Sequence, residues 1–223
     1  MKRFLKIFLY AILLSYSLYG SKIAVATKVT GFVEIMPAGE KDFLKLKPGR
    51  VLSDGDKIRT GGSGFAAIIF IDDKSTLKLK EDSEAFITGQ RSAASISKKI
   101  NMDSGTVRAT ITKQNTDFVI QTPTSVASVK GTDFWLITNP ETGDQIIGME
   151  GIIGLTNNET GQEVDVTEGM SGISTPDGNI GLEVTDQSSI PDDPSVDIDG
   201  PSQIKIYLEG PNGEQRVMVI EYQ

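Results

Sequence analysis

The chain has 223 residues, a formal net charge of −8, 23 Gly, and neither Cys nor His. Without Cys and His there is no disulfide, no thiolate or imidazole metal site, no thiol nucleophile and no Ser-His-Asp triad. The length suits one domain with appendages, or two small ones, and is enough to bury a real core.

Charge is uneven. Residues 40–113 carry 14 Lys/Arg against 10 Asp/Glu, net +4, whereas residues 139–223 carry 17 Asp/Glu against Lys205 and Arg216, net −15. The acidic half repels phosphate backbones, so nucleic acid is not an expected partner, and the asymmetry reads as a solvated surface.

Residues 1–26 have the three-part form of a secretory signal peptide. Lys2, Arg3 and Lys6 precede the apolar Ile7–Leu14, and small residues follow at Gly20 and in Ala24-Val25-Ala26. Cleavage is expected after Gly20 or Ala26, leaving no stable transmembrane segment. The β-domain is expected over 27–184. Val29–Met36 reads as its first strand, around Gly31. Turns follow at Pro37–Glu40, Pro48-Gly49, Asp54–Asp56 and Thr60–Gly64. Phe65–Ile71 is the strongest apolar run after the leader, and Thr76–Lys80 alternates with Leu77 and Leu79 inward. Arg91–Lys99 is a loop or weak helical turn. Further short strands surround Ile87, Val107–Ile111, Phe118–Ile120, Gln145–Met149, Ile152–Leu155, Val164–Val166, Ile173 and Ile180–Val184. Turn signals every 8–12 residues, with no 3.6-residue period, predict an all-β fold. Lys57–Thr60 with Phe65–Ile68 echoes Val119–Thr122 with Val126–Val129, which favours a solenoid-like stack of short rungs.

Residues 121–137 (QTPTSVASVKGTDFWLI) read as strand, tight turn and strand, with the turn at Lys130-Gly131. Strand alternation puts Phe134 in the core and leaves Trp135 facing the other way. Residues 185–201, with three Pro and five Asp, form a polar linker. Residues 202–223 form a hairpin, expected to add to the main body or to a partner's sheet edge because alone it is marginal.

An ordered set of motifs then stands out: Leu52-x2-Gly55-Asp56-x-Ile58-x-Thr60-Gly61-x2-Gly64, Ala66-x-Ile68-x-Phe70-x-Asp72, Leu77-x-Leu79, Gly105-x-Val107-Arg108-Ala109, Phe118-x-Ile120-x-Thr122-Pro123-Thr124, Val129-x-Gly131-Thr132-Asp133-Phe134, Glu150-Gly151 and Glu168-Gly169. Over about residues 45–172 this resembles the FecR domain. It departs at Asp73-Lys74, where the family's turn more often shows Gly, and at Lys130, where it often shows Arg. The resemblance implies a twisted β-solenoid-like or sandwich-like fold and a role in signal transfer outside the cytoplasm. In the regulators a cytosolic segment controls a sigma factor. Only six residues precede the apolar run here, so that role is not expected to transfer. The residues carried over as structural are Gly55, Asp56, Thr60, Gly61, Thr122, Pro123, Gly131, Thr132, Asp133 and Phe134.

No catalytic group, cofactor or metal site is expected. Gly61–Gly64 lacks the Lys and helix of a phosphate loop, and Asp193–Gly200 lacks the closing ligands of a calcium loop. The acidic pairs Asp54/Asp56, Asp72/Asp73 and Glu81/Asp82 suit turns, although two carboxylates across a cleft would suit glycoside hydrolysis. The expected function is an exported, non-catalytic binding module of the bacterial cell envelope, periplasmic or secreted, with an envelope protein or polymer as partner. The alternative is a carbohydrate-binding or carbohydrate-active β-protein.

Overall fold

The computed structural model describes residues 20–92, 95–113, 118–194, 202–209 and 215–222. Most of the predicted leader, residues 93–94 of the predicted Arg91–Lys99 loop, the end of the linker and the turn of the terminal hairpin lie outside these residues. The regular secondary structure of the described residues is almost entirely strand.

Two sheets pack face to face and share one strand. Sheet A contains β1 (Lys22–Thr30), β4 (Val51–Ser53), β6 (Phe65–Phe70), β7 (Thr76–Leu79), the second half of β9 (Ile96–Thr110), β12 (Asp133–Asn139), β13 (Gly143–Glu150), β16 (Met170–Ser174) and β17 (Ile180–Val184). Sheet B contains β2 (Val33–Met36), β3 (Leu44–Lys45), β5 (Asp56–Thr60), β8 (Glu84–Arg91), the first half of β9, β10 (Phe118–Gln121), β11 (Ser125–Val129), β14 (Ile152–Asn157) and β15 (Glu163–Thr167). Pairing is antiparallel except between β9 and β10. The chain passes repeatedly from one sheet to the other, so the winding is solenoid-like and the packing is that of a sandwich.

Alternation explains most of the strands. Asp56, Ile58 and Thr60 of β5 point inward, as do Leu77 and Leu79 of β7. The inner faces of both sheets merge into one core, with Phe70 of sheet A edge-on to Phe118 of sheet B at 5.8 Å. Such a contact is worth about 0.5–1.5 kcal/mol beyond area burial. The β6 run does not alternate, because both of its faces are buried.

β1 begins earlier than expected. It starts at Lys22, and Ile23, Ala24, Val25 and Ala26 are fully buried. Strand structure therefore begins at Lys22, ahead of the residue 27 expected for the start of the β-domain. A cut after Ala26 would remove four buried residues, whereas a cut after Gly20 leaves β1 whole. The predicted Val29–Met36 strand is two strands separated by Gly31-Phe32. The internal echo does not extend to topology: β5 to β6 crosses between sheets, while β10 and β11 are neighbours in one sheet.

β9 changes sheets at Gly105. This glycine has φ +113, and a Cβ there would lie 2.3 Å from the Ser83 hydroxyl. That hydroxyl accepts from Thr106 N at 2.9 Å, so only a residue without a side chain lets the strand bend around it.

One sandwich end is closed by charge. Lys98 points inward, is fully buried and reaches Asp72 Oδ2 at 2.9 Å and Asp73 Oδ2 at 2.7 Å in the β6–β7 turn. This accounts for the unusual turn residues. Lys74 takes the left-handed conformation at φ 62, and the two aspartates are used to bind Lys98.

After β17 the chain crosses the outer face of sheet A. β18 (Ser202–Glu209) and β19 (Gln215–Tyr222) then pair as a separate two-stranded sheet. The hairpin does not extend a sheet edge. Ile206, Ile220 and Met218 lie face-on against Val25, Ile69, Val51 and Ile71.

Candidate functional site

The residues carried over from the family pattern mostly fix turns. Asp56 is buried, and its two carboxylate oxygens accept from Ala38 N at 3.0 Å and Ser53 N at 2.9 Å. Gly55 N donates to Ile87 O, and Gly61 N donates to Phe32 O, both at 2.9 Å. The Thr60 hydroxyl donates to Lys80 O at 2.5 Å and accepts from Ser83 N at 2.9 Å. Thr122 Oγ1 accepts from Ser125 N at 2.8 Å, and it and Ser125 Oγ both donate to Asp144, which is buried beside them. The Pro123 carbonyl accepts from Asn158 Nδ2 at 3.1 Å.

Gly131 has φ +82, and a Cβ there would sit 2.9 Å from Lys113 Cα. Thr132 exchanges two backbone hydrogen bonds with Ile111, and Phe134 is fully buried in the core.

Asp133 has a different task. It grips Arg108 with both oxygens, at 2.9 Å from Nε and 2.7 Å from Nη2. These hydrogen bonds, with the nearby Asp193 charge adding to them, raise the Arg108 pKa above its ordinary value. Asp133 thus takes one edge of the guanidinium fork and leaves the other to Asp193. Arg108 Nη1 donates to Asp193 at 2.7 Å, as does Lys78 Nζ, also at 2.7 Å. Asp193 belongs to the linker, and its side chain is only 8% exposed.

Strand register lays these groups in one row across the outer face of sheet A: Ser171, Ile147, Trp135, Arg108, Lys78, Ala67 and Lys28. Trp135 points outward as the alternation requires, yet it is 1% exposed, and Ile147 beside it is fully buried. Arg108 lies 5.8 Å from the indole centroid. The linker follows the same row. Thr185 Oγ1 meets Ser171 Oγ at 3.0 Å, Asp193 meets Arg108 and Lys78, and Lys28 Nζ donates to Pro194 O at 3.0 Å. The indole is therefore unavailable for stacking on a sugar. Sequence reading missed this arrangement, although its signal was the basic middle and acidic tail of the chain. Asp193, considered above as a possible calcium ligand, is bound between two cations instead, and residues 195–200 lie outside the described residues.

The outer face of sheet B carries an open groove of about 740 Å³, lined in part by Thr88, Gln90, Lys99, Val119, Gln121 and Val126. Its one carboxylate, Asp54, accepts from Gly89 N at 2.9 Å. Of the acidic pairs, Asp54 lies in this groove, Asp56 and the Asp72/Asp73 pair are engaged as described, and Asp82 sits in a turn at φ 52. Among the described residues no group of three or more acidic side chains is placed to hold a metal. Among the same residues no helix is long and apolar enough to cross a membrane.

Residues 56–154 match the model of the FecR protein family. No curated protein matches the chain in sequence. Two crystal structures of a protein provisionally named an anti-sigma factor, from Parabacteroides distasonis, are similar in fold. Both are 13% identical, with TM-scores of 0.50 and 0.49, and each match covers 58% of this chain. The chain spans 60% of the length of that protein. The chain therefore carries a FecR domain, with residues 56–154 as its matched part.

Proposed function

We propose that the chain is an exported, non-catalytic binding module that works in extracytoplasmic signalling through protein–protein contact at the bacterial cell envelope. The observation that carries this reading is the use of the family pattern. Asp56, Thr60, Thr122 and Asp133 are engaged in turns and in the Arg108 clamp, and Asp72 and Asp73 are taken up by Lys98. The FecR match supports a regulatory role. The anti-sigma name of the structural neighbour points the same way, at the level of fold. The three-part leader supports export, and a mature start at Ser21 is the one compatible with β1.

The test is to sequence the N-terminus of the protein from fractionated cells and to screen the purified protein for hydrolysis of envelope glycans and peptides. A start at Ser21 in an extracytoplasmic fraction, with no turnover, is expected. An intact leader in the cytosol, or turnover abolished by changing one carboxylate, refutes the reading.

A further inference from the structure

We propose that the outer face of sheet A recognises an extended acidic chain segment of a partner protein, and that residues 185–194, with the β18–β19 hairpin, are the resident occupant which that segment displaces. The proposal rests on the binding-module reading and names the surface and its chemistry.

Three observations carry it. First, the face is built like a site. Trp135 and Ile147 form an apolar floor, and Arg108, Lys78 and Lys28 form a line of cations beside it. Arg108 is oriented by its two hydrogen bonds to Asp133, so its remaining edge is set to receive a carboxylate. Second, the occupant complements that face. The linker is acidic, places Asp193 between Lys78 and Arg108, and gives the Pro194 carbonyl to Lys28. The hairpin beyond it sets Ile206 and Ile220 on Val25 and Ile69. Third, the attachment is of an exchangeable kind. Among the described residues, Thr185 N to Gly169 O is the last backbone–backbone bond that ties this segment down, and beyond it side-chain bonds and one small apolar patch hold the described part. Elements without ladder hydrogen bonds open at lower free energy than the core strands beneath them. A competing acidic segment of similar pattern meets the same cations and the same floor.

Trp135 is the only tryptophan, buried and 5.8 Å from the Arg108 that Asp193 binds, so its emission reports on this row. The experiment uses the full chain carrying Asp193→Lys, with a synthetic peptide of residues 186–222 as probe. The variant should show red-shifted Trp135 emission with unchanged far-UV circular dichroism. Added peptide should restore the blue emission saturably, and added salt should weaken the effect. Adding Arg108→Gln to the variant should weaken peptide binding at least about tenfold, the loss of one charge-assisted contact. Asp193→Asn, which removes the charge between Lys78 and Arg108 with the smallest change of shape, provides the same readout if Asp193→Lys fails to fold. Unshifted emission in both variants, or a shift that peptide does not reverse, overturns the proposal. Concentration-dependent dimerisation of the variants, with emission restored by the second copy, assigns the face to self-association and also overturns it. The peptide arm needs no cellular partner, so its failure is separate from failure of the binding-module reading.

Discussion

Lys98→Met removes the cation that closes one end of the sandwich. The Lys98 side chain is fully buried, and Asp72 and Asp73 are only 10% and 12% exposed. Taking one partner from a buried ion cluster costs about 3–5 kcal/mol, because the remaining charges stay desolvated. Here Ile96 N still donates to Asp72 and Ser75 N to Asp73, so the lower end applies, about 3 kcal/mol. In a domain of this size that corresponds to a fall in Tm of about 6–12 °C. Equilibrium denaturation of the parent, Lys98→Met and the exposed control Lys99→Met measures it, with the control expected within about 0.5 kcal/mol of the parent. If Lys98→Met also stays within that margin, the end-closure argument is wrong.

Gly131→Val forces a β-branched residue to φ +82 and brings its Cβ against Lys113. It should cost at least about 1–3 kcal/mol, and normal melting would disprove the corner's role. Thr122→Val deprives Ser125 N and the buried Asp144 of a partner, and a loss of about 1–3 kcal/mol by denaturation is expected. The pH response follows from Asp186, which caps the short turn at Gln187–Ser189 at the start of the linker. The backbone N–H of Ser188, and then its hydroxyl, hold the Asp186 pKa below 3.8. The native state therefore binds fewer protons than the unfolded state near that value. The contribution of Asp186 is fully present above it and is lost as pH falls through the lower native value. Trp135 emission should stay flat between about pH 5 and 9 and change only below about pH 4, and a change centred near neutrality would contradict this assignment.

Local chemistry made most strands legible. Alternation at Asp56–Thr60 and Thr76–Leu79 placed the inner residues, and the ordered glycines and threonines marked the corners. What escaped was nonlocal. Ile23–Ala26 resemble the end of a leader because small and β-branched apolar residues serve both an export signal and a buried strand. Trp135 was expected to face away from the core, and it does. It is nevertheless buried, in a row whose Ser171 and Arg108 are bound by linker residues some fifty positions after Trp135 in the chain, which no strand period reveals. The unusual Asp73-Lys74 turn became intelligible only when Lys98 was seen to reach it across the sandwich.

We propose that the FecR domain works by contact with an envelope partner; the linker covers the outer face of sheet A, so the open groove of sheet B is the surface exposed for first contact. The most direct measurement places a photo-crosslinking amino acid at Lys99 in that face and, as a control, at the exposed turn residue Glu168, in living cells. A discrete adduct from position 99 that position 168 does not give is the predicted result. No adduct from position 99, or the same adducts from both positions, would contradict it.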